Sequence, residues 1–202
     1  MGITPQQLKE MQGRVGRPKR VPLPATEALT PAFGQRHRIV LGVDPSLRGT
    51  GFGVIAFEGR EPHSLGYGVV ECPSAWEVSR CLVKIAQSLR DAIKKWKPTV
   101  CVFEGLFFAQ NIQTAIVMGE ARGAGLVAVG EAGLEVYELA PRKIKQAVVG
   151  FGGAGKDAVA RMVQRVLKLP EIPPDDAADA LATALAFAQE HGRFSFSSPK
   201  RV

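Results

Sequence analysis

The chain has 202 residues, 46% of them hydrophobic and 22% charged, which is enough for one domain with a sizeable core. Its formal net charge of +7 favours a polyanionic partner but is uneven, because residues 1–37 hold six Lys/Arg against two Glu while the rest hold 20 basic against 17 acidic residues. No apolar run nears the roughly 18 residues that would span a bilayer, the first residues lack a signal-peptide core, and three scattered cysteines and three scattered histidines form no zinc or disulfide spacing. A cytoplasmic protein with no membrane attachment is therefore expected.

Residues 1–37, with five prolines and the basic cluster RVGRPKR, read as an arm outside the packed core. Two readings stay open for it: a disordered tail, which includes a start codon placed upstream of the true one, or an auxiliary DNA-binding arm. Arg38–Asp44 (RIVLGVD) is a continuous apolar run ended by Asp-Pro, the pattern of a buried central strand. GFGVIAF and LGYGVVE follow across the turn-rich EGREPHS and predict a β-meander. Val78, Leu82, Ile85, Leu89 and Ile93 recur at helical spacing, so Trp76–Lys95 is predicted as an amphipathic helix. Beyond Pro98, TVCVFE reads as a short buried strand ending on Glu104. Asn111–Glu131 reads as a long, mostly apolar helix, EVYEL as a fifth strand, Lys156–Leu169 as a helix and residues 191–202 as a flexible tail. Three strands followed by alternating helix and strand predict an α/β fold with a five-stranded mixed sheet, in a domain over residues 38–190.

Two glycine-rich stretches imitate nucleotide-binding motifs. In GFGGAGKD, Gly150 and Gly155-Lys156 have P-loop spacing, but Asp157 stands where a Mg²⁺-ligating hydroxyl is required. A carboxylate there would repel nucleotide phosphates, and no strand ending in Asp follows. Lys156 is better placed to face some other phosphate from the start of a helix. GFGVIA (Gly51–Ala56) matches a dinucleotide fingerprint but runs into a strand rather than a helix. Gly49, Gly51 and Gly53 are expected to permit a tight turn and close backbone approach.

Four acids stand out. Asp44 and Glu104 end apolar strands, where a carboxylate is costly unless solvated, paired or bound to a cation. If those strands are parallel neighbours, both acids emerge at one carboxyl edge, the usual crevice of open α/β sheets. In PPDDAADALATALAFAQ (Pro173–Gln189), Asp176 and Asp179 share one helix face, opposite Ala178, Leu181 and Leu185, and Asp175 reads as the N-cap. Caps and strand-end turns explain each acid alone. Together they are hard oxygen ligands with no His or Cys partner, suited to Mg²⁺ or Mn²⁺. Two such ions can clamp a phosphodiester for in-line attack by water.

In order and spacing, LGVDPSLRGTGFGVI, FEGLFFAQN, GEARGAGLVAV, KQAVVGFGGAGK and LPEIPPDDAADALATAL resemble the bacterial RuvC family of Holliday junction resolvases. The resemblance runs from about Arg38 to Gln189. It implies an RNase H-like fold with helices on both sheet faces, and a homodimer that nicks opposing strands of four-way junction DNA. It implies Asp44, Glu104, Asp176 and Asp179 as the catalytic, metal-holding carboxylates, with two Mg²⁺ or Mn²⁺ ions per site and 5′-phosphate and 3′-hydroxyl products. Phe107 matches an aromatic placed against junction bases, and Lys145 and Lys156 match basic residues beside the scissile backbone. The helix over Asn111–Glu131 is the expected dimer face, and a branch-migration helicase is an expected partner. Two positions depart from the family pattern: Ser46 replaces the glycine of Asp-Pro-Gly, and Gln110 replaces a lysine. Two other readings remain: a junction-binding protein that has lost catalysis, and an actin-like or sugar-kinase ATPase half, for which one domain is too few.

Overall fold

The computed structural model describes residues 37–58, 61–105, 112–192 and 200–202. Strands β1 (Ile39–Asp44), β2 (Gly49–Glu58) and β3 (Glu61–Glu71) form the expected antiparallel meander, with β3 starting at Glu61 inside the stretch EGREPHS that reads as a turn. Helix α1 (Val78–Trp96) carries the chain to β4 (Val100–Glu104), which lies parallel to β1. Helix α2 (Ile112–Glu131) leads to β5 (Glu135–Leu139), parallel to β4. Helices α3 (Pro141–Val149), α4 (Lys156–Leu167) and α5 (Asp175–Gly192) follow, then the two-residue strand β6 (Lys200–Arg201).

The sheet order is β3-β2-β1-β4-β5-β6, so the sheet has six strands rather than five. The sixth occupies the open edge of β5: Glu138 stands opposite Lys200, and the Val202 N–H donates to the Val136 carbonyl at 3.0 Å. A strand this short carries no alternation from which a sequence could announce it.

Strand alternation divides the core into two layers. Val40, Val100, Val102 and Ile55 pack with Ile144, Val159, Leu181, Leu185 and Phe187 of α3, α4 and α5. Leu41, Val43, Val54, Cys101 and Phe103 face the other way, onto Cys81, Ile85 and Leu89 of α1 and Ala121, Ala128 and Val129 of α2. Helices therefore cover both faces. Truncating a fully buried side chain such as Leu181 in such a core costs about 2–5 kcal/mol.

The helix ends follow from local chemistry. α1 stops where Lys97 turns left-handed (φ 50°) and donates its N–H to the Ile93 carbonyl, with Pro98 immediately after. α5 starts at Asp175, the expected N-cap itself: the Pro174 carbonyl accepts the Ala178 N–H at 2.8 Å, which places Asp175 inside the first turn. There it is one of two acids in the first turn, where negative charge favours the positive helix end. α5 is also buried nearly all round from Ala177 to Ala188, because α3 and α4 cover the side turned away from the sheet. That explains its alanines, which let three layers approach closely.

Candidate active site

The β1–β2 register sets Asp44 opposite Gly51 and Gly42 opposite Gly53. These four positions alternate onto the face covered by α5. The parallel β1–β4 register pairs Val43 with Phe103, and one step further Asp44 lies beside Glu104. Both acids end their strands at the same edge, on the same face.

Glycine brings the third and fourth acids to them. A Cβ at Gly51 would fall 1.8 Å from the Asp176 carbonyl oxygen, and one at Gly49 would fall 2.6 Å from Asp176 Oδ2. A Cβ at Gly42 would fall 2.0 Å from the Ala180 carbonyl, and one at Gly53 2.6 Å from the Leu181 side chain. The bare strands therefore let the first turn of α5 settle on the sheet with Asp176 and Asp179 facing its edge. Gly42 escaped the sequence reading; an isolated glycine inside an apolar strand run was the signal available for it.

Two lysines complete the arrangement. Lys156 opens α4, and its Nζ lies 3.5 Å from Asp179 Oδ2. Lys145, on α3, acts electrostatically on Glu104 and Asp179. The Lys156 side chain is 60% exposed, so its ion pair with Asp179 is worth only about 0–1 kcal/mol and is easily exchanged.

The charges strain one another. Burial pushes Asp44 up to about 7, helped by Asp179 and Asp176 and opposed by Lys156. Burial pushes Glu104 up to about 8, with Asp44 and Asp179 adding to it and the two lysines opposing. Asp179 is also raised, chiefly by burial and against the pull of Lys156. Lys156 is raised in turn, first of all by Asp179. Carboxylates that so resist ionising together are those a cation would relieve. Among the described residues no three acidic, imidazole or thiol groups close into a ready ligand cage. The acids act on one another through their charges, and Lys156 offsets part of that repulsion. The donor set is all carboxylate, which fits Mg²⁺ or Mn²⁺ and argues against a softer metal.

The loop after Asp44 is braced. The buried Thr50 hydroxyl donates to the Ser46 carbonyl and accepts the Ser46 N–H at 3.3 Å. Ser46 is not among the positive-φ residues, so serine takes this position without backbone strain. Helix α3, not a strand, precedes the Gly150–Gly155 loop, which removes the P-loop reading on topology as well as on Asp157. Phe107 and Gln110 lie outside the described residues.

A family model described as Crossover junction endodeoxyribonuclease RuvC matches residues 40–187. The protein of that name from Thermomicrobium roseum is 45% identical over 152 residues, covering 74% of this chain and 92% of the relative. The one from Vibrio parahaemolyticus is 46% identical over 150 residues, covering 74% of this chain and 86% of the relative. The structure of Thermus thermophilus RuvC in complex with Holliday junction substrate superposes with a TM-score of 0.75 at 34% identity, covering 82% of this chain and all of that one. A match that runs from the first strand to the acid-bearing helix, over most of the length of its relatives, places this chain in the RuvC family of crossover junction endodeoxyribonucleases.

Proposed function

We propose that this RuvC-family endonuclease, an enzyme that resolves Holliday junctions, cuts DNA at the nest formed by Asp44, Glu104, Asp176 and Asp179. One observation carries the assignment: acids from two parallel strands and a distant helix meet at a glycine-lined edge, where burial first and the neighbouring acids second hold Asp44 and Glu104 far above the ordinary carboxylate range. The four carboxylates would hold two Mg²⁺ or Mn²⁺ ions, which supply Lewis acidity and charge neutralisation to phosphodiester hydrolysis.

The chain's own residues account for substrate placement. Lys156 exchanges its weak pairing with Asp179 for a phosphate oxygen of the bound strand, and Lys145 holds a neighbouring phosphate from α3. Together they fix the scissile phosphorus over the acids for in-line attack by water, which leaves a 5′-phosphate and a 3′-hydroxyl. Phe107, three residues beyond Glu104, is proposed to contact junction bases on the family pattern.

Symmetric cutting needs two such sites, and α2 offers the surface for a homodimer. Ile112, Ile116 and Val127 are exposed, and nothing lies within 4 Å of a Cβ built at Gly119, Gly123 or Gly130. An apolar helix face with open glycines suits close approach of a second copy about a two-fold axis, which matches the near two-fold symmetry of an open junction. A branch-migration helicase remains a proposed partner on family grounds. No described helix is long and apolar enough to cross a membrane, in keeping with the proposed cytoplasmic setting.

The test is Asp44→Asn on a synthetic four-way junction with Mg²⁺ and Mn²⁺ in parallel arms. Cleavage is expected to vanish while junction binding persists, because removing a negative charge does not weaken attraction to DNA. Full nicking by the purified variant would refute the assignment. Junction binding by a wild type that never cleaves would favour the reading as a binding protein.

A further inference from the structure

The Gly150–Gly155 loop is not a nucleotide cradle, yet it is built with care and the proposed cleavage chemistry leaves it unused. Gly150 takes a left-handed conformation (φ 87°) that ends α3, its N–H donating to the Gln146 carbonyl. The Ala154 N–H donates to the Phe151 carbonyl at 3.1 Å, closing a turn over Gly152 and Gly153. Each of these two glycines seats a side chain. A Cβ at Gly153 would stand 2.8 Å from Phe151 Cζ, so the phenyl ring lies where that side chain would be. A Cβ at Gly152 would stand 2.7 Å from Arg142 Cγ, so the arginine lies across the neighbouring position.

The ring has a backbone behind it and solvent in front, and Phe151 is 68% exposed. A single exposed apolar side chain is ordinary. This one is oriented by its own loop, a few residues before the lysine at the charged edge. Five positions separate it from Lys156, a reach of at most about 18 Å even fully extended, and the turn at Phe151–Ala154 shortens that. The flanking helix α3 carries Arg142, Lys143 and Lys145 and no acid. Aromatic faces set among cations are the chemistry that grips single-stranded nucleic acid: bases stack while phosphates pair.

We infer that Phe151 is a stacking platform for an unpaired base of the strand that lies across the acid nest, with Arg142 on a phosphate to one side and Lys156 on the other. The inference rests on the endonuclease reading and adds a positioning residue to it, separate from Phe107. Stacking holds the nucleotides next to the cut in one register, so Phe151 acts on which phosphodiester reaches the acids.

The experiment uses the full chain and a four-way junction carrying 2-aminopurine at successive positions within about three nucleotides of the cut, with the stacking strength expected of an aromatic platform. The wild type should quench fluorescence at one of these positions. Phe151→Ala should lose that quench and lower junction affinity or cleavage about five- to 150-fold, the fold-change to which about 1–3 kcal/mol of stacking corresponds. Phe151→Trp should restore both, and Phe151→Leu should not. The thermal midpoint should be unchanged in all three, since the ring is outside the core. An alanine variant that binds, quenches and cuts like the wild type overturns the inference, as does a leucine variant equal to phenylalanine. Both outcomes leave the nuclease assignment intact, because the wild type cleaves in the same assay. A wild type that neither binds nor cuts the junction removes the nuclease assignment and this inference together.

Discussion

On one side of the sheet β1 and β2 present Gly42, Gly51 and Gly53 to α5; on the other the same strands present Leu41, Val43 and Val54 to α1 and α2. The bulky side is an ordinary hydrophobic sandwich. On the glycine side the helix backbone rests directly on the strands, and it carries Asp176 and Asp179 with it. Each strand glycine costs about 0.5–1 kcal/mol relative to alanine, and burying like charges together costs more. The α1/α2 layer thus supplies stability, while the α5 layer gives some of it up to assemble a site. The edge where carboxylates crowd is the weak place in the fold, and that weakness is what a bound cation would relieve.

One methyl group placed on each side breaks this comparison most sharply. In Gly51→Ala the new Cβ meets the Asp176 backbone, which cannot swing aside, so α5 must lift. We expect a loss of about 3 kcal/mol or more, a fall in midpoint of about 10 °C, and no cleavage. In Gly123→Ala, on α2, the Cβ points into open space. The monomer should gain up to about 1 kcal/mol of helix propensity, while the dimer weakens because the second copy loses its close approach. Thermal denaturation with sedimentation on both variants checks this. A Gly51→Ala protein that cuts normally would mean that close contact between α5 and the strands does not govern the site.

The second effect is a pH dependence that only the α5 side should confer. Asp44 rises from 3.8 to about 7 and Glu104 from 4.5 to about 8 on folding. Between those values the native state holds protons that the unfolded chain has released. Stability is therefore full below pH about 4 and is lost as pH rises through 7 to 8, opposite to the usual behaviour of a salt-bridged carboxylate. In chelator, the unfolding free energy from urea titrations should fall over this range by roughly 4 kcal/mol per group. Asp44→Asn should flatten the fall, and Mg²⁺ should cancel it above neutrality. A flat profile in chelator would show that the carboxylates are better solvated than their burial implies.

Much of this molecule is legible in its sequence, and the reason differs by region. The apolar runs ending at Asp44 and Glu104 and the spacing of α1 are local patterns, and the structure places those elements within a residue or two of expectation. Asp176 and Asp179 are visible as one helix face, but their meeting with Asp44 depends on sheet register and on glycine packing across layers. β6 is illegible because two residues have no period, and Asp175 resembles a cap because the Pro174 carbonyl leaves no side-chain signature. The full burial of α5 is likewise a property of its neighbours α3 and α4.

The smallest expected effect separates the two ends of the sheet by charge. Lys156 stands at the acid edge, whereas Lys95 lies in the last turn of α1, at the opposite edge, with its ammonium 4.4 Å from the Trp96 ring centroid. If Lys156 meets a phosphate, Lys156→Gln should reduce the slope of log affinity against log salt by about 1, and Lys95→Gln should leave it unchanged. Lys156 also holds Asp44 and Glu104 down, so its loss should move the pH-dependent fall in stability to higher pH. The two readouts are independent, because one needs DNA and the other does not. A variant that shifts the pH profile but keeps the full salt slope would make Lys156 a counter-ion of the acids alone and leave the phosphate to Lys145.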